Sequence, residues 1–113
     1  MSVGRVDFTI KAGEQLPLLS LRLLNPNKQP FDLTGFTGVF RMADQDMETV
    51  QDGSITINAD PTTGIATYEF DGDQVVGLYY GQVVLTRVSD SAEQTFPQNG
   101  TWVIEVQPKL SPA

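Results

Sequence analysis

The side chains of this sequence that could carry chemistry are carboxylates and tyrosines, because the chain contains no histidine and no cysteine. Two short acidic motifs, Asp44-Gln45-Asp46 and Asp71-Gly72-Asp73, could each offer oxygen ligands to Ca²⁺. Calcium takes about six to eight oxygen ligands, and neither motif has the spacing of an established calcium loop. Aspartate commonly caps turns, so we predict that both motifs are solvated turns and that the protein holds no metal and no cofactor.

Catalysis is disfavoured by the same composition. A Ser-His or Cys-His arrangement cannot be built without histidine or cysteine. A pair of carboxylates could still cleave a glycosidic bond. The acidic residues, however, lie mainly in turns, where aspartate simply directs the chain. We therefore predict that the protein is not an enzyme and has no catalytic residues.

Two adjacent tyrosines, Tyr79 and Tyr80, are candidates for stacking on a sugar ring. They occupy successive positions of a predicted strand, so one of them must face the core. A tyrosine on a sheet face packs against its neighbours more often than it recognises a ligand. A carbohydrate-binding module for cell-surface adhesion is nevertheless the alternative function from another class, and exposed aromatic side chains on one face would favour it.

The tyrosines belong to the segment around which the fold is organised, residues 77–88. Strand-forming residues dominate this segment, and its middle is apolar on both faces, which favours a central strand. The start of the segment, Gly77-Leu78-Tyr79, resembles the tyrosine corner of immunoglobulin-type sandwiches, in which a tyrosine hydroxyl turns back onto the preceding backbone. Gln82 and Thr86 mark one face as the outer one. The predicted core face therefore carries Tyr79, Gly81, Val83 and Leu85.

The rest of the chain contains short alternating segments separated by glycine and proline. We predict further strands at residues 5–10, 18–24, 37–42, 54–58, 65–70 and 101–106. A hairpin joins the strands at 54–58 and 65–70, residues 43–53 form a loop or a ragged edge strand, and residues 89–100 form a polar connection. Trp102 is predicted to lie in the core, and we expect Trp102→Ala to cost roughly 3–5 kcal/mol.

About seven to eight strands with no segment of helical period predict an all-β protein built as an antiparallel sandwich. A small closed barrel is the structural alternative. With 113 residues, we expect a single domain spanning residues 1–113, with a short N-terminal arm at 1–5 and a C-terminal tail at 107–113.

Charge and hydropathy restrict the partners. The net charge is −7, and the seven basic residues are scattered singly, whereas a nucleic-acid surface needs clustered positive charge. No segment approaches the length of a membrane span, and the first residues contain no apolar run fit for a signal peptide. We therefore expect a soluble protein that binds neither nucleic acid nor membrane.

Several segments, in order along the chain, resemble the immunoglobulin-like N-terminal domain of phage upper baseplate proteins. The likeness covers nearly the whole chain. It implies an immunoglobulin-like β-sandwich that docks a receptor-binding apparatus onto the virion, and it brings no catalytic residues. The segments that carry it are VDFTIKAG at 6–13, LPLL at 16–19, FDLTGFTGVFRM at 31–42, residues 60–70, GLYY at 77–80 and FPQNGTWVIEV at 96–106.

Upper baseplate proteins continue beyond this domain into a long helical and C-terminal part, whereas this sequence ends at Ala113. The resemblance therefore implies a free-standing virion structural protein that is made in the host cytoplasm and docks onto other virion proteins. We expect it to be present in the particle in many symmetric copies. We expect a tail, baseplate or head–tail accessory component, with a capsid decoration protein as the alternative. Decorating sandwiches bind by their termini and surface patches, so the expected partner-binding residues are Val3, Gly4, Arg5, Pro108, Lys109 and Leu110.

Overall fold

The computed structural model describes residues 6–16, 18–98 and 100–109. These residues form nine strands and one short 3-10 helix (Pro61–Thr63), and they contain no helix that could cross a membrane. The strands are β1 (Phe8–Lys11), β2 (Leu19–Arg22), β3 (Phe36–Ala43), β4 (Thr49–Ser54), β5 (Thr56–Ile57), β6 (Ile65–Tyr68), β7 (Gly77–Arg87), β8 (Glu93–Phe96) and β9 (Trp102–Gln107).

The strands form two sheets that pack face to face. The large sheet has the order β1-β9-β7-β3-β4, with β8 also paired to β7, and the small sheet has the order β2-β6-β5. One hydrophobic core joins them: the ring of Phe40 in the large sheet lies 4.6 Å from the ring of Tyr68 in the small sheet. The all-β, immunoglobulin-like sandwich is thus confirmed, and the closed barrel is not what forms.

Strand β7 is central, as its sequence predicts. It pairs with β3 along its whole length, while its other edge is shared by β9 over the first half and β8 over the second. The side of β7 that was predicted to face the core is buried throughout, from Tyr79 to Leu85. The alternation of apolar and polar residues identified the core-facing side of β7 because every second side chain of a strand points to the same face.

Two predictions about the large sheet are wrong. Strand β1 pairs with β9 in parallel, with Phe8 opposite Ile104, so the sheet is mixed rather than antiparallel. Residues 93–96 form strand β8 rather than a polar connection. In the turn between β7 and β8, Arg87 donates two side-chain hydrogen bonds to Asp90. These bonds lower the pKa of Asp90 to about 2.

The segment between β3 and β6 belongs to both sheets. Residues 49–54 form the edge strand β4, which pairs with β3 around a bulge at Met42 and Ala43, so the edge-strand interpretation of residues 43–53 is the correct one. The chain then crosses at Ile55 to the small sheet, where β5 pairs with β6 as predicted, although over two residues only. The predicted strand at 54–58 is therefore split between the sheets.

Trp102 is less buried than predicted. It is the first residue of β9, lies at the margin of the core, and packs edge-on against Phe8 with the ring centroids 5.9 Å apart. Ile104 and Val106, which follow on the same face, are fully enclosed at 0% and 1% exposure. The indole is only partly covered because the enclosed part of the core begins after Trp102, at the next residues of β9.

Candidate docking surface

Six exposed apolar side chains gather at one end of the sandwich. This is the end at which β1, β3 and β9 finish and β7 begins, since Lys11 lies opposite Gln107, Val106 opposite Gly77, and Ala43 opposite Tyr80. Exposure there reaches 65% for Met47 and 67% for Val75. We call this surface the apolar end. Its six residues are Leu16, Leu18, Met47, Val50, Val75 and Val76.

Three connections and the start of β4, with Val50, supply these side chains. Leu16 and Leu18 lie between β1 and β2, and Met47 belongs to the turn between β3 and β4. Val75 and Val76 directly precede β7. Two further exposed valines, Val6 and Val88, lie away from this end, since Val88 directly follows β7 at its opposite end. The exposed apolar surface of the described residues is therefore unevenly distributed.

The tyrosine corner holds one of the three connections in place. The Tyr79 hydroxyl donates a hydrogen bond of 2.8 Å to the backbone oxygen of Val75. The ring itself is buried in the core at 6% exposure. The resemblance of Gly77-Leu78-Tyr79 to a tyrosine corner is thus confirmed. This contact fixes the backbone from which the Val75 and Val76 side chains project into solvent.

Two buried glutamines tie the connections to one another. Gln74 donates from Nε2 to the backbone oxygens of Lys11 and Glu14, and its Oε1 accepts a long hydrogen bond of 3.5 Å from Nε2 of Gln51. Oε1 of Gln51 accepts hydrogen bonds from the Tyr68 hydroxyl and from the backbone N–H of Asp71. Both glutamines are about as buried as the core, at 5% and 6% exposure. This network was not predicted, because glutamine in a polar segment is usually a surface residue.

The two acidic motifs are turns, as predicted. Oδ1 of Asp44 accepts hydrogen bonds from the backbone N–H groups of Asp46 and Glu48, at 2.9 and 3.1 Å. Oδ1 of Asp71 accepts one from the N–H of Asp73 at 2.8 Å. In residues 6–16, 18–98 and 100–109, no group of three or more acidic side chains is arranged to hold a metal ion. The carboxylates of Asp44 and Asp71 therefore shape the connections that present the apolar end.

The hydroxyl of Tyr68, beneath the apolar end, has a raised pKa, chiefly because it is buried. Burial, followed by the charges of Asp71 and Asp52, raises the pKa of Tyr68 to about 12. The Tyr68 hydroxyl consequently stays protonated and remains a donor to Gln51 at neutral pH.

The predicted terminal contacts lie partly outside the described residues, which include neither Val3, Gly4 and Arg5 nor Leu110. Gln107, placed in the tail by the sequence, is the last residue of β9. Pro108 and Lys109 follow it, are exposed, and sit beside the apolar end, with Lys109 Nζ 3.3 Å from Glu14 Oε2. Their role in partner binding stays a prediction.

The two tyrosines that could stack on a sugar face opposite ways. Tyr79 is in the core, whereas Tyr80 lies on the outer face of the large sheet. Tyr80 is the one aromatic residue of the described chain that neither belongs to the core cluster nor packs against it. It lines a shallow, open depression of about 300 Å³ together with Arg41, Ala43, Met47, Thr49, Gln82 and Thr101.

Comparison with known families decides the identity of the fold. A family profile described as the BppU N-terminal domain, a domain of the phage baseplate upper protein, matches residues 8–102. The chain belongs to this family. It is therefore a phage baseplate structural domain and a component of the virion. No curated protein and no solved structure matches the chain.

The part of the chain that matches the BppU N-terminal domain contains the whole apolar end, since Leu16 to Val76 fall inside residues 8–102. It excludes Pro108 and Lys109. The apolar end was missed from the sequence because its residues come from three separate connections and the start of β4, and each group alone looks like the margin of a neighbouring strand. Only the sheet pairing brings them to one surface.

Proposed function

We propose that residues 1–113 act as one non-enzymatic docking domain that attaches to other proteins of the phage tail or baseplate through the apolar end. The observation that carries this proposal is the position of Met47, Val50, Val75, Val76 and the two leucines on one end of the sandwich. Large apolar patches that remain in contact with water typically mark protein–protein interaction sites.

The buried contacts beneath the apolar end favour tight docking. Tyr79 fixes Val75, and Gln74 links this connection before β7 to the one that contains Glu14. Gln51 links the same connection to β4 through its contacts with Gln74 and Asp71. Ordering mobile loops on binding costs free energy. Connections that are already held by buried hydrogen bonds avoid part of that cost, so more of the free energy of apolar burial is available for attachment.

Membership of a baseplate family supports attachment to the tail rather than to the capsid, which is the alternative location. Mass spectrometry of purified virions split into tail and capsid fractions tests this choice. We expect the protein in the tail fraction, in a copy number that is a small multiple of the tail symmetry. Recovery with capsids at a copy number near that of the shell protein would make it a decoration protein.

The docking surface is tested by competition during particle assembly. A Met47→Ser and Val76→Ser double variant, expressed beside the wild-type protein, should fold normally and be excluded from particles. Val88→Ser is the matched control, because Val88 is equally exposed but lies at the opposite end of β7. Incorporation of the double variant at the level of the control would refute docking through the apolar end.

The C-terminal tail is proposed to extend the same contact. Pro108 and Lys109 lie beside the apolar end, and Leu110 follows them in the sequence. Val3, Gly4 and Arg5 precede Val6, which lies away from the apolar end, so their predicted contact is a separate one. Removal of residues 108–113 should weaken attachment to particles, and removal of residues 1–5 tests the arm separately. If a truncated protein binds particles as well as the full chain does, the deleted terminus is not part of the interface.

A carbohydrate-binding role is the second candidate, and the depression at Tyr80 is the observation that favours it. A tyrosine ring beside the Arg41 guanidinium and the Gln82 amide offers one apolar surface and several hydrogen-bonding groups, a combination typical of small-molecule sites. Titration with cell-wall oligosaccharides, followed by nuclear magnetic resonance, should then shift the signals of Tyr80 and its neighbours. The Tyr80→Ala variant should show no such shifts, because it lacks the ring on which the sugar stacks. Unchanged spectra in the wild-type protein would exclude this role.

A further inference from the structure

The connections that form the apolar end carry an excess of negative charge. Seven carboxylates lie in these connections, against two lysines nearby, Lys11 at the end of β1 and Lys109 in the tail. In the turn between β3 and β4, Met47 stands directly between Asp46 and Glu48, and all three side chains are exposed. The seven acidic residues are Glu14, Asp44, Asp46, Glu48, Glu69, Asp71 and Asp73.

The two lysines do not neutralise this excess. Lys109 Nζ lies 3.3 Å from Glu14 Oε2, and Lys11 Nζ donates a hydrogen bond to Oε1 of Gln107. Within the described part of the chain, no ion pair joins a basic side chain to Asp46, Glu48 or Asp73. The apolar side chains of this end are therefore accompanied by negative charges that no basic side chain of residues 6–16, 18–98 and 100–109 pairs.

We infer that the apolar end docks onto a partner surface whose apolar centre is bordered by lysine and arginine side chains. This inference rests on the proposed docking function and adds the chemistry of the partner. Charge complementarity selects such a surface, because a basic border would pair with Asp46, Glu48 and Asp73 while its apolar centre covers Met47 and Val76.

A second copy of this chain does not fit the same surface. Two apolar ends placed face to face would bring two sets of carboxylates together, and like charges across an interface oppose association. The acidic border thus acts against self-association through this end, while it favours a basic partner. Copies of the domain in a symmetric particle would then be held by the partner and not by each other's apolar ends.

The inference has a kinetic consequence. Opposite charges on two surfaces accelerate their encounter, and added salt removes this acceleration. Apolar contacts, in contrast, mainly determine how slowly the complex dissociates. Neutralisation of the acidic border should therefore slow association, and loss of the apolar side chains should remove stable binding.

The test uses phage particles assembled without this protein, immobilised for surface plasmon resonance, and the full-length chain as analyte. We expect the association rate of the wild-type protein to fall roughly tenfold between about 0.05 M and 0.5 M salt. The Asp46→Asn and Glu48→Gln double variant should associate about threefold more slowly at the lower salt concentration. Glu93→Gln is the matched control for Glu48→Gln, since Glu93 is exposed on β8, and it should leave the rate unchanged.

The outcomes separate this inference from the proposed function. If neutralisation leaves the association rate unchanged or raises it, while Met47→Ser with Val76→Ser removes binding, the apolar end docks but its partner is not basic, and the inference is overturned alone. If the apolar variant binds as the wild-type protein does, the proposed function fails as well. Salt-promoted self-association in sedimentation equilibrium that is lost in the apolar variant would identify a second copy as the occupant and would also overturn the inference.

Discussion

The hydroxyl of Tyr68 donates a hydrogen bond of 2.7 Å to Oε1 of Gln51 and thereby joins the small sheet to the large one. The same oxygen accepts a hydrogen bond from the backbone N–H of Asp71. Gln51 thus connects β6, β4 and the connection before β7, directly beneath the apolar end. The polar contact stabilises this end of the sandwich where the apolar core finishes.

Removing either side of this contact should have unequal effects. Tyr68→Phe deletes one hydrogen bond and should lower the free energy of unfolding by about 1 kcal/mol. Gln51→Ala leaves the Tyr68 hydroxyl and the Asp71 N–H without a partner and should cost roughly 2–3 kcal/mol. Chemical denaturation measures both. Tyr80→Phe, on the outer sheet face, is the control, and a Tyr68→Phe variant as stable as this control would contradict the assignment.

The raised pKa of Tyr68 predicts alkaline destabilisation. Burial and the neighbouring Asp71 and Asp52 raise the pKa from 10.0 to about 12 in the folded protein. The folded state therefore favours the protonated hydroxyl, and the resulting contribution to the unfolding free energy is fully present below pH 10 and lost as the pH rises through about 12. The free energies of unfolding of the wild-type protein and Tyr68→Phe, measured by denaturation at each pH, should converge as the pH rises through this window. A difference in unfolding free energy between the two proteins that stays constant with pH would count against this prediction.

Gly64 and Gly35 form a matched pair for the effect of close packing. Both adopt positive φ, at +70° and +81°, so alanine is strained at either position. A Cβ at Gly64 would lie 2.6 Å from the backbone oxygen of Leu23, whereas a Cβ at Gly35 would meet nothing within 4 Å. Gly64→Ala should therefore destabilise the protein clearly more than Gly35→Ala, which should cost on the order of 1 kcal/mol. Equal thermal stability of the two variants would show that the contact with Leu23 relaxes.

The position of Trp102 at the margin of the core predicts a moderate loss on truncation. Trp102→Ala should destabilise the protein less than Phe40→Ala, which empties a fully enclosed site and should cost roughly 3–5 kcal/mol. Because the chain contains one tryptophan, its fluorescence reports on this site alone. A soluble quencher should partly quench the fluorescence of the native protein. If the quencher has no effect, the indole is fully covered.

The strands that the sequence predicted well are those with a strict alternation of apolar residues. Strands β7 and β3 were predicted because every second side chain of each strand enters the core. Strand β8 was missed because its four residues contain a single buried side chain, Phe96. It forms because β9 covers only the first half of β7 and leaves the second half available for pairing.

Features that depend on distant parts of the chain could not be predicted. The parallel pairing of β1 with β9 joins residues about as far apart as this sequence allows, and local alternation carries no information on strand direction. The buried network of Gln51 and Gln74 and the apolar end have the same origin. Each requires several connections to meet, and the sequence shows only one connection at a time.

Solvent accessibility inside the assembled virion tests the docking surface most directly. The chain contains no cysteine, so Val76→Cys and Val88→Cys each provide a single thiol, at opposite ends of β7 and roughly 35–40 Å apart. Both valines are exposed in the isolated domain, at 56% and 67%. In intact particles, a maleimide reagent should label Val88→Cys as fast as in the free protein and Val76→Cys far more slowly. Equal labelling at both positions, or protection of Val88→Cys alone, would contradict attachment through the apolar end.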